Sequence, residues 1–132
     1  MTDLEEARQF FGRDKYAAEA TGIVIEAVGP HYAKCSLKLD DRHRNALGEV
    51  MGGVMFTLAD YVFAISTNFR QDPTVTTVSQ ISYLGRAKGS TLYGESRLIK
   101  DGRSTCFYEI FITDDLGNAV ASVAVTGSHL HK

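Results

Sequence analysis

The sequence predicts an α+β fold, a mostly antiparallel sheet with one long helix. Three observations lead there. Segments such as Ala33–Asp40 alternate apolar and polar residues with the period of a strand. Between them, Val50–Phe69 runs for twenty residues with a single charge, Asp60, which suits a helix covered on nearly every side. The strand patterns come in runs rather than alternating with helices, which argues against a parallel βαβ architecture.

The elements follow in order along a chain of 132 residues, enough for one domain, 1–132, around one core. Residues 3–20 read as one or two short helices. Thr2-x-x-Glu5 has the form of a capping box, and Leu4, Ala7 and Phe11 share a helical face that Tyr16, Ala17 and Ala20 could continue up to Gly22. Gly22–Val28 is rich in Ile and Val and reads as a strand, closed by the turn Gly29-Pro30. In Ala33–Asp40, Ala33, Cys35, Leu37 and Leu39 point one way and Lys34, Ser36, Lys38 and Asp40 the other. Asp41–Gly48 is a polar loop. The central helix spans about 52–69. Val75–Tyr83 alternates again, and Leu92–Lys100 and Arg103–Thr113 flank Asp101-Gly102, the signal of a two-residue hairpin. Asp114–Asn118 makes the next turn, and Ala119–Gly127 is the last strand of a meander.

Composition excludes several classes. Apolar residues make up 44% and charged residues 23%, which is ordinary globular usage rather than disorder. Fourteen basic against sixteen acidic residues leave a net charge of −2, so no general attraction to nucleic acid or anionic membrane arises. Cys35 and Cys106 are too few for a disulfide framework and read as core residues. The first residues are acidic with no apolar stretch of a secretory signal, so the expected compartment is the reducing cytoplasm. Val50–Phe69 is long enough to span a bilayer, but Asp60 at mid-span would cost about 2.5–3.5 kcal/mol, and Gly52, Gly53, Thr57, Ser66, Thr67 and Asn68 dilute its hydrophobicity.

As a helix, the segment places Met55, Leu58, Val62, Ile65 and Phe69 in one stripe for the sheet. Asp60 falls on another face with Thr57, Ala64 and Thr67, suited to a partner subunit or a ligand. A buried carboxylate needs a reason. Either it is bonded to backbone N–H groups or a Tyr and holds a dimer together, or it is catalytic. Met51-Gly52-Gly53 opens the helix, where small residues admit close approach and free N–H groups carry positive partial charge, fit for an anion or a developing oxyanion.

Asn45-x-x-Gly48-x-x-Met51-Gly52-Gly53 followed by Leu58-Ala59-Asp60 resembles the signature of hotdog-fold thioesterases, in particular the PaaI-like acyl-CoA thioesterases of phenylacetic acid degradation. Ile81-Ser82-Tyr83-Leu84, Ala87, Gly102-Arg103 and Gly117 fit as well, so the resemblance covers about residues 20–130. It implies a sheet wrapped around the central helix and a homodimer or dimer of dimers with active sites shared between subunits. It implies hydrolysis of an acyl-CoA or related thioester to acid and thiol, with no metal and no cofactor beyond coenzyme A as part of the substrate. Asp60 matches the catalytic carboxylate, as nucleophile or general base. Gly52 matches the residue whose backbone N–H polarises the carbonyl, Asn45 the residue that positions substrate or water, and Thr76 a hydroxyl near the carboxylate. Asn45 and Gly52 are then expected to face Asp60 of a second subunit. Met51, Gly53, Tyr83, Lys100 and Arg103 fall where the family contacts its substrate.

The departure is Met51, where the family usually has His; Met neither donates a strong hydrogen bond nor holds a proton. A non-catalytic acyl-CoA-binding or structural dimer is the alternative this leaves open. A hotdog dehydratase would need a His base on the helix, whereas His31 lies in a turn, His43 in a loop, and His129 and His131 at the tail. His129-x-His131 lacks companions for a metal and reads as a solvated tail. Arg42, Arg44, Arg86 and Lys88 lie in loops, either a rim for coenzyme A phosphates or scattered surface charge.

Overall fold

In the computed structural model, which describes residues 1–131, helix α1 spans Asp3–Phe11 and starts with the expected capping box. The Thr2 hydroxyl accepts from the Glu5 N–H at 3.1 Å, and the Glu5 carboxylate takes the Thr2 N–H at 3.1 Å. A second, wider helical turn follows at Tyr16–Thr21 and ends at Gly22, whose φ is 90°. Its five-residue hydrogen-bond step breaks the periodicity read from the sequence. Ala17 is buried, but Tyr16 and Ala20 are exposed instead of continuing the face of α1.

Six strands form one antiparallel sheet in the order β1-β2-β4-β5-β6-β3. They are β1 (Val24–Gly29), β2 (Tyr32–Lys38), β3 (Thr74–Tyr83), β4 (Thr91–Asp101), β5 (Thr105–Asp114) and β6 (Ala119–His129). The four strands after the central helix are not a simple meander. β4, β5 and β6 are, but β3 lies at the far edge beside β6, and β4 pairs with β2. The hairpin after β4 also differs from the two-residue expectation. Asp101 is still in the ladder, opposite Cys106, so four residues separate the partners, and the Gly102 N–H closes the loop on the Thr105 carbonyl at 2.9 Å. Ile99, an extra residue between the pairs Leu98–Tyr108 and Lys100–Phe107, shifts the register that the turn would otherwise have kept.

Helix α2 (Gly52–Asn68) lies on one face of this sheet, as the hotdog resemblance implies. Met55, Leu58, Val62 and Ile65 are buried as the stripe predicts, with Phe69 partly buried at its end. Opposite them stand Ala33, Cys35 and Leu37 of β2, Leu92 of β4, Ile110 and Ile112 of β5, and Val123 and Val125 of β6. Burial pushes the Cys35 thiol up to about 12, so this cysteine is an inert core residue. The helix comes closest to the sheet where two strands lack a side chain. A Cβ on Gly94 would lie 3.1 Å from both Leu58 and Val62, and one on Gly127 would lie 2.7 Å from the Phe63 ring and 2.9 Å from Cys106 Sγ.

The two sheet edges are treated differently. Along β1, the Arg8 guanidinium of α1 reaches over and donates to the Ile25 carbonyl through Nε at 2.9 Å and Nη2 at 2.7 Å, and a bulge at Glu26 interrupts the ladder. Along β3, no element among the described residues pairs with the outer side, and Val75, Val78 and Tyr83 are exposed.

Two predictions follow from this packing. Gly127→Ala should cost about 1–3 kcal/mol, read as a lower urea midpoint, because the added methyl has nowhere to go. Asp114 accepts from the N–H groups of Lys88, Gly89, Leu116 and Asn118 and from Asn118 Nδ2, tying the β3–β4 connection to the β5–β6 turn. The Asn118 amide and these backbone N–H groups hold its carboxyl well below the usual carboxylate range. A depressed folded value means that its stabilisation is full above the unfolded value, about pH 4, and is lost as pH falls below it. Asp114→Asn should therefore lower the thermal midpoint at pH 7 and flatten its decline in acid.

Candidate active site

The segment between β2 and α2 is pinned by its own polar residues. The Asp40 N–H donates to His43 Nδ1 at 3.0 Å, which fixes Nε2 as the protonated nitrogen, and Nε2 donates to the Thr21 carbonyl at 2.7 Å. His43 is thus a buried structural strut, although the sequence places it in a polar loop. The side-chain oxygen of Asn45 accepts from the N–H groups of Leu47 at 2.9 Å and Glu49 at 3.1 Å. Gly48, at φ 80°, lets the chain double back so that the Asn45 N–H meets the Glu49 carbonyl at 2.8 Å. Asn45 therefore builds the loop that carries it, while its amide nitrogen makes no hydrogen bond among the described residues.

That loop delivers Met51 as the residue capping α2, with its N–H on the His43 carbonyl at 2.9 Å. The Met51 side chain makes no capping hydrogen bond and is exposed. The N–H groups of Gly52 and Gly53 have no acceptor among the described residues, so the positive end of the helix is open. Tyr83 at the end of β3 stands over it; a Cβ on Gly52 would lie 2.6 Å from the Tyr83 hydroxyl. Gly52, Met55, Tyr83, Glu49 and Arg86 line a cavity of about 580 Å³, within the usual range for a small-molecule site. The Arg86 Nη2 is 2.6 Å from Glu49 Oε1, and this ion pair forms one wall.

Asp60 lies elsewhere. It is exposed on the single chain, not buried as the apolar run around it suggests, because its face of α2 is left uncovered by the sheet. It lines a cleft of about 240 Å³ with Thr57, Tyr61 and Ala64 of α2 and with Asp14–Ala17 of the N-terminal segment. Thr67, expected on this face, is buried and donates to the Phe63 carbonyl at 2.8 Å. The cleft still strips water from the Asp60 carboxyl, and that desolvation, with the charge of Asp14 added, raises its proton affinity above that of an ordinary aspartate. Asp60 stands eight residues along α2 from Gly52, which at 1.5 Å per residue is about 12 Å. One chain thus carries a donor end and a carboxylate too far apart to act on one carbonyl.

The other residues singled out from the sequence are scattered. Gly53 is exposed beside Gly52, and Thr76 is exposed on β3 without sharing the Asp60 cleft. Arg103 lines a separate cavity with His31, Asp101, His129 and His131, and Lys100 lines neither of the two clefts described. His129 is no solvated tail residue; it ends β6, with Nε2 2.7 Å from Asp101 Oδ1 and Nδ1 2.7 Å from Thr74 Oγ1. Arg42 donates to the carbonyls of Glu19 and Ala20 and Arg44 to that of Gly48, so two members of the basic rim are structural. Glu49 and Asp14 were not anticipated. Glu49 sits inside the Asn45–Gly52 pattern, between the polar loop and the apolar run, with nothing in the sequence to single it out; nothing in the sequence links Asp14 to Asp60.

Comparison with known proteins bears on the family and the fold. The profile of the thioesterase superfamily matches residues 47–121, from the Asn45 loop into β6, and the chain belongs to that family. Human acyl-coenzyme A thioesterase 13 is 26% identical over 98% of this chain and 86% of its own length. Among solved structures, the Escherichia coli PaaI protein of the phenylacetic acid degradation operon superposes with a TM-score of 0.88 at 22% identity, covering 98% of this chain and 94% of that one. A hypothetical thioesterase protein from Streptococcus pneumoniae TIGR4, solved with coenzyme A, gives a TM-score of 0.84 at 25% identity, covering 95% of this chain and 98% of that one. No helix among the described residues is long and apolar enough to cross a membrane.

A raised proton affinity on a carboxyl means that the fold disfavours its charged form, a penalty present above the unfolded value of about pH 4 and complete above the folded one. Asp60→Asn should therefore raise the thermal midpoint at pH 7–8, with the gain shrinking as the pH is lowered toward about 4 and gone below it.

Proposed function

We propose that this chain hydrolyses an acyl-coenzyme A or a related thioester to a carboxylic acid and a free thiol, at sites shared between two copies. The observation that carries the reading is the separation along α2: an unsatisfied helix N-terminus and a desolvated carboxylate, each half of a thioester site, about 12 Å apart on one helix. Two antiparallel helices side by side bring each end against the other's carboxylate. The open edge of β3, with Val75, Val78 and Tyr83 exposed, supplies a surface on which a second copy can continue the sheet and set the helices in that relation.

In such a site the Gly52 N–H donates to the thioester oxygen, and the helix end stabilises the charge that builds there as the carbonyl carbon becomes tetrahedral. Asp60 of the second copy either takes the proton of the attacking water or attacks the carbon itself, giving an anhydride that water then opens. The C–S bond breaks and the thiol leaves with a proton. The free amide of Asn45 positions water or the carbonyl, and Thr76 supplies a hydroxyl on the strand that runs along the interface. Tyr83 orders the approach over Gly52. No metal or redox group is required, and coenzyme A enters as substrate. The two unpaired, buried cysteines suit the reducing cytoplasm.

Met51 favours one second reading, a non-catalytic acyl-CoA binder, because it brings no donor and no proton to the helix start. Thiol release from short, long and aromatic acyl-CoAs separates the two. Turnover by the wild type that falls about a hundredfold or more in Asp60→Asn supports the hydrolase. Binding without release from any acyl-CoA supports the binder and makes Met51→His the variant to assay. Sharing of the site has its own test: mixing and reassembling inactive Asn45→Ala and Asp60→Asn chains should restore activity, since half of the sites in a mixed dimer are wild type. No recovery would place the whole site within one chain.

A further inference from the structure

The Asp60 cleft contains a second carboxylate that the family signature does not include. Asp14, exposed like Asp60, lines it from the segment between α1 and the wide turn at Tyr16–Thr21. This segment is held firmly. The Tyr61 hydroxyl donates to the Phe11 carbonyl at 2.9 Å, Arg42 Nη1 to the Ala20 carbonyl at 3.0 Å, and His43 Nε2 to the Thr21 carbonyl at 2.7 Å. Asp14 itself is fixed through its backbone, its N–H on the Phe11 carbonyl at 3.0 Å and its carbonyl taking the Ala18 N–H at 2.9 Å. Its carboxylate makes no hydrogen bond and no ion pair among the described residues. Lys15 lines the same cleft, with its ammonium 2.8 Å from Glu19 rather than paired with Asp14. The remaining polar groups on the cleft are the neutral Thr57 hydroxyl and the phenols Tyr16 and Tyr61.

We propose that Asp14 is a positioning residue for the hydrolase, a second carboxylate that lines the Asp60 cleft from the N-terminal segment and tunes the proton transfer that Asp60 carries out. The proposal rests on the hydrolase reading above and adds a residue outside the stretch that the family profile matches, 47–121. Like charges in one small cleft disfavour joint ionisation, so a proton is held more tightly by the pair than by either acid alone. A base that binds its proton more tightly takes it more readily from attacking water, provided that it is ionised at working pH. The Coulomb effect of Asp14 on Asp60 acts in that direction, second to desolvation.

The test is Asp14→Asn, with Asp14→Glu as the charge-conserving control, in the assembled protein. The acid limb of the kcat/KM profile should move to lower pH in Asp14→Asn with KM little changed, and should return toward the wild-type position in Asp14→Glu. A direct readout needs no turnover: the ¹³C carboxyl titration of Asp60 should shift to lower pH in Asp14→Asn. An Asp60 titration that is the same in wild type and Asp14→Asn overturns the proposal, whatever happens to the rate. A protein without turnover on any thioester sinks the hydrolase reading and with it the catalytic role of Asp14, while the titration still shows whether the two carboxylates are coupled. A thermal midpoint for Asp14→Asn at pH 7–8 equal to or above that of wild type, as expected when a like charge is removed and no hydrogen bond is lost, separates the effect from misfolding.

Discussion

Helix α2 meets the sheet where β4 and β6 carry glycine instead of a side chain, and the consequences of that close contact reach every functional group. Leu58, Val62 and Phe63 fill the space over Gly94 and Gly127, so the helix can neither rotate nor slide without losing the fit. A helix locked in rotation has one face permanently inward and one permanently outward. Asp60 and Thr57 are outward because Leu58 and Val62 are inward. The same lock fixes the height of the Gly52 end against Tyr83 and the Glu49–Arg86 pair.

The electrostatics of the two halves then differ by design of the backbone alone. At the start of α2, free N–H groups create a place for negative charge, and the cap that would normally satisfy them is a methionine with nothing to offer. Two turns further, an exposed carboxylate loses part of its hydration to a cleft that a second acid also lines. Each half is costly in isolation: unsatisfied donors on one side, a poorly solvated anion on the other. In the proposed shared site both costs would fall when a polarised carbonyl and a proton donor come between them, the arrangement of charge in thioester hydrolysis.

Much of this was legible in the sequence. The inward stripe of α2 follows from helical spacing, and the alternation of Ala33, Cys35, Leu37 and Leu39 set the facing of β2. The spacing from Asn45 to Asp60 carried the family signature. What escaped were features set by distant partners. β3 reads like any half-buried strand, and only the sheet order shows that it is an edge. The hairpin at Asp101-Gly102 carried the signal of a two-residue turn, but the bulge at Ile99 moved the register. The apolar run suggested burial for Asp60, because a sequence cannot say which face of a helix its own sheet leaves bare. His43 and Asp14 owe their places to contacts between the N-terminal segment and the loop before α2, more than twenty residues apart, and no local pattern records such contacts.

The unequal edges of the sheet bear on growth. A sheet open on both sides can add copies without limit, head to tail, which is the geometry of a fibre. Here Arg8 occupies the carbonyl of Ile25, and the bulge at Glu26 spoils the ladder of β1, so addition on that side finds no regular row of partners. Among the described residues only β3 offers one. Under the proposed pairing of two copies through that edge, a stopping rule is built in: with both open edges used, nothing would be left to extend, and edge pairing would end at a closed pair.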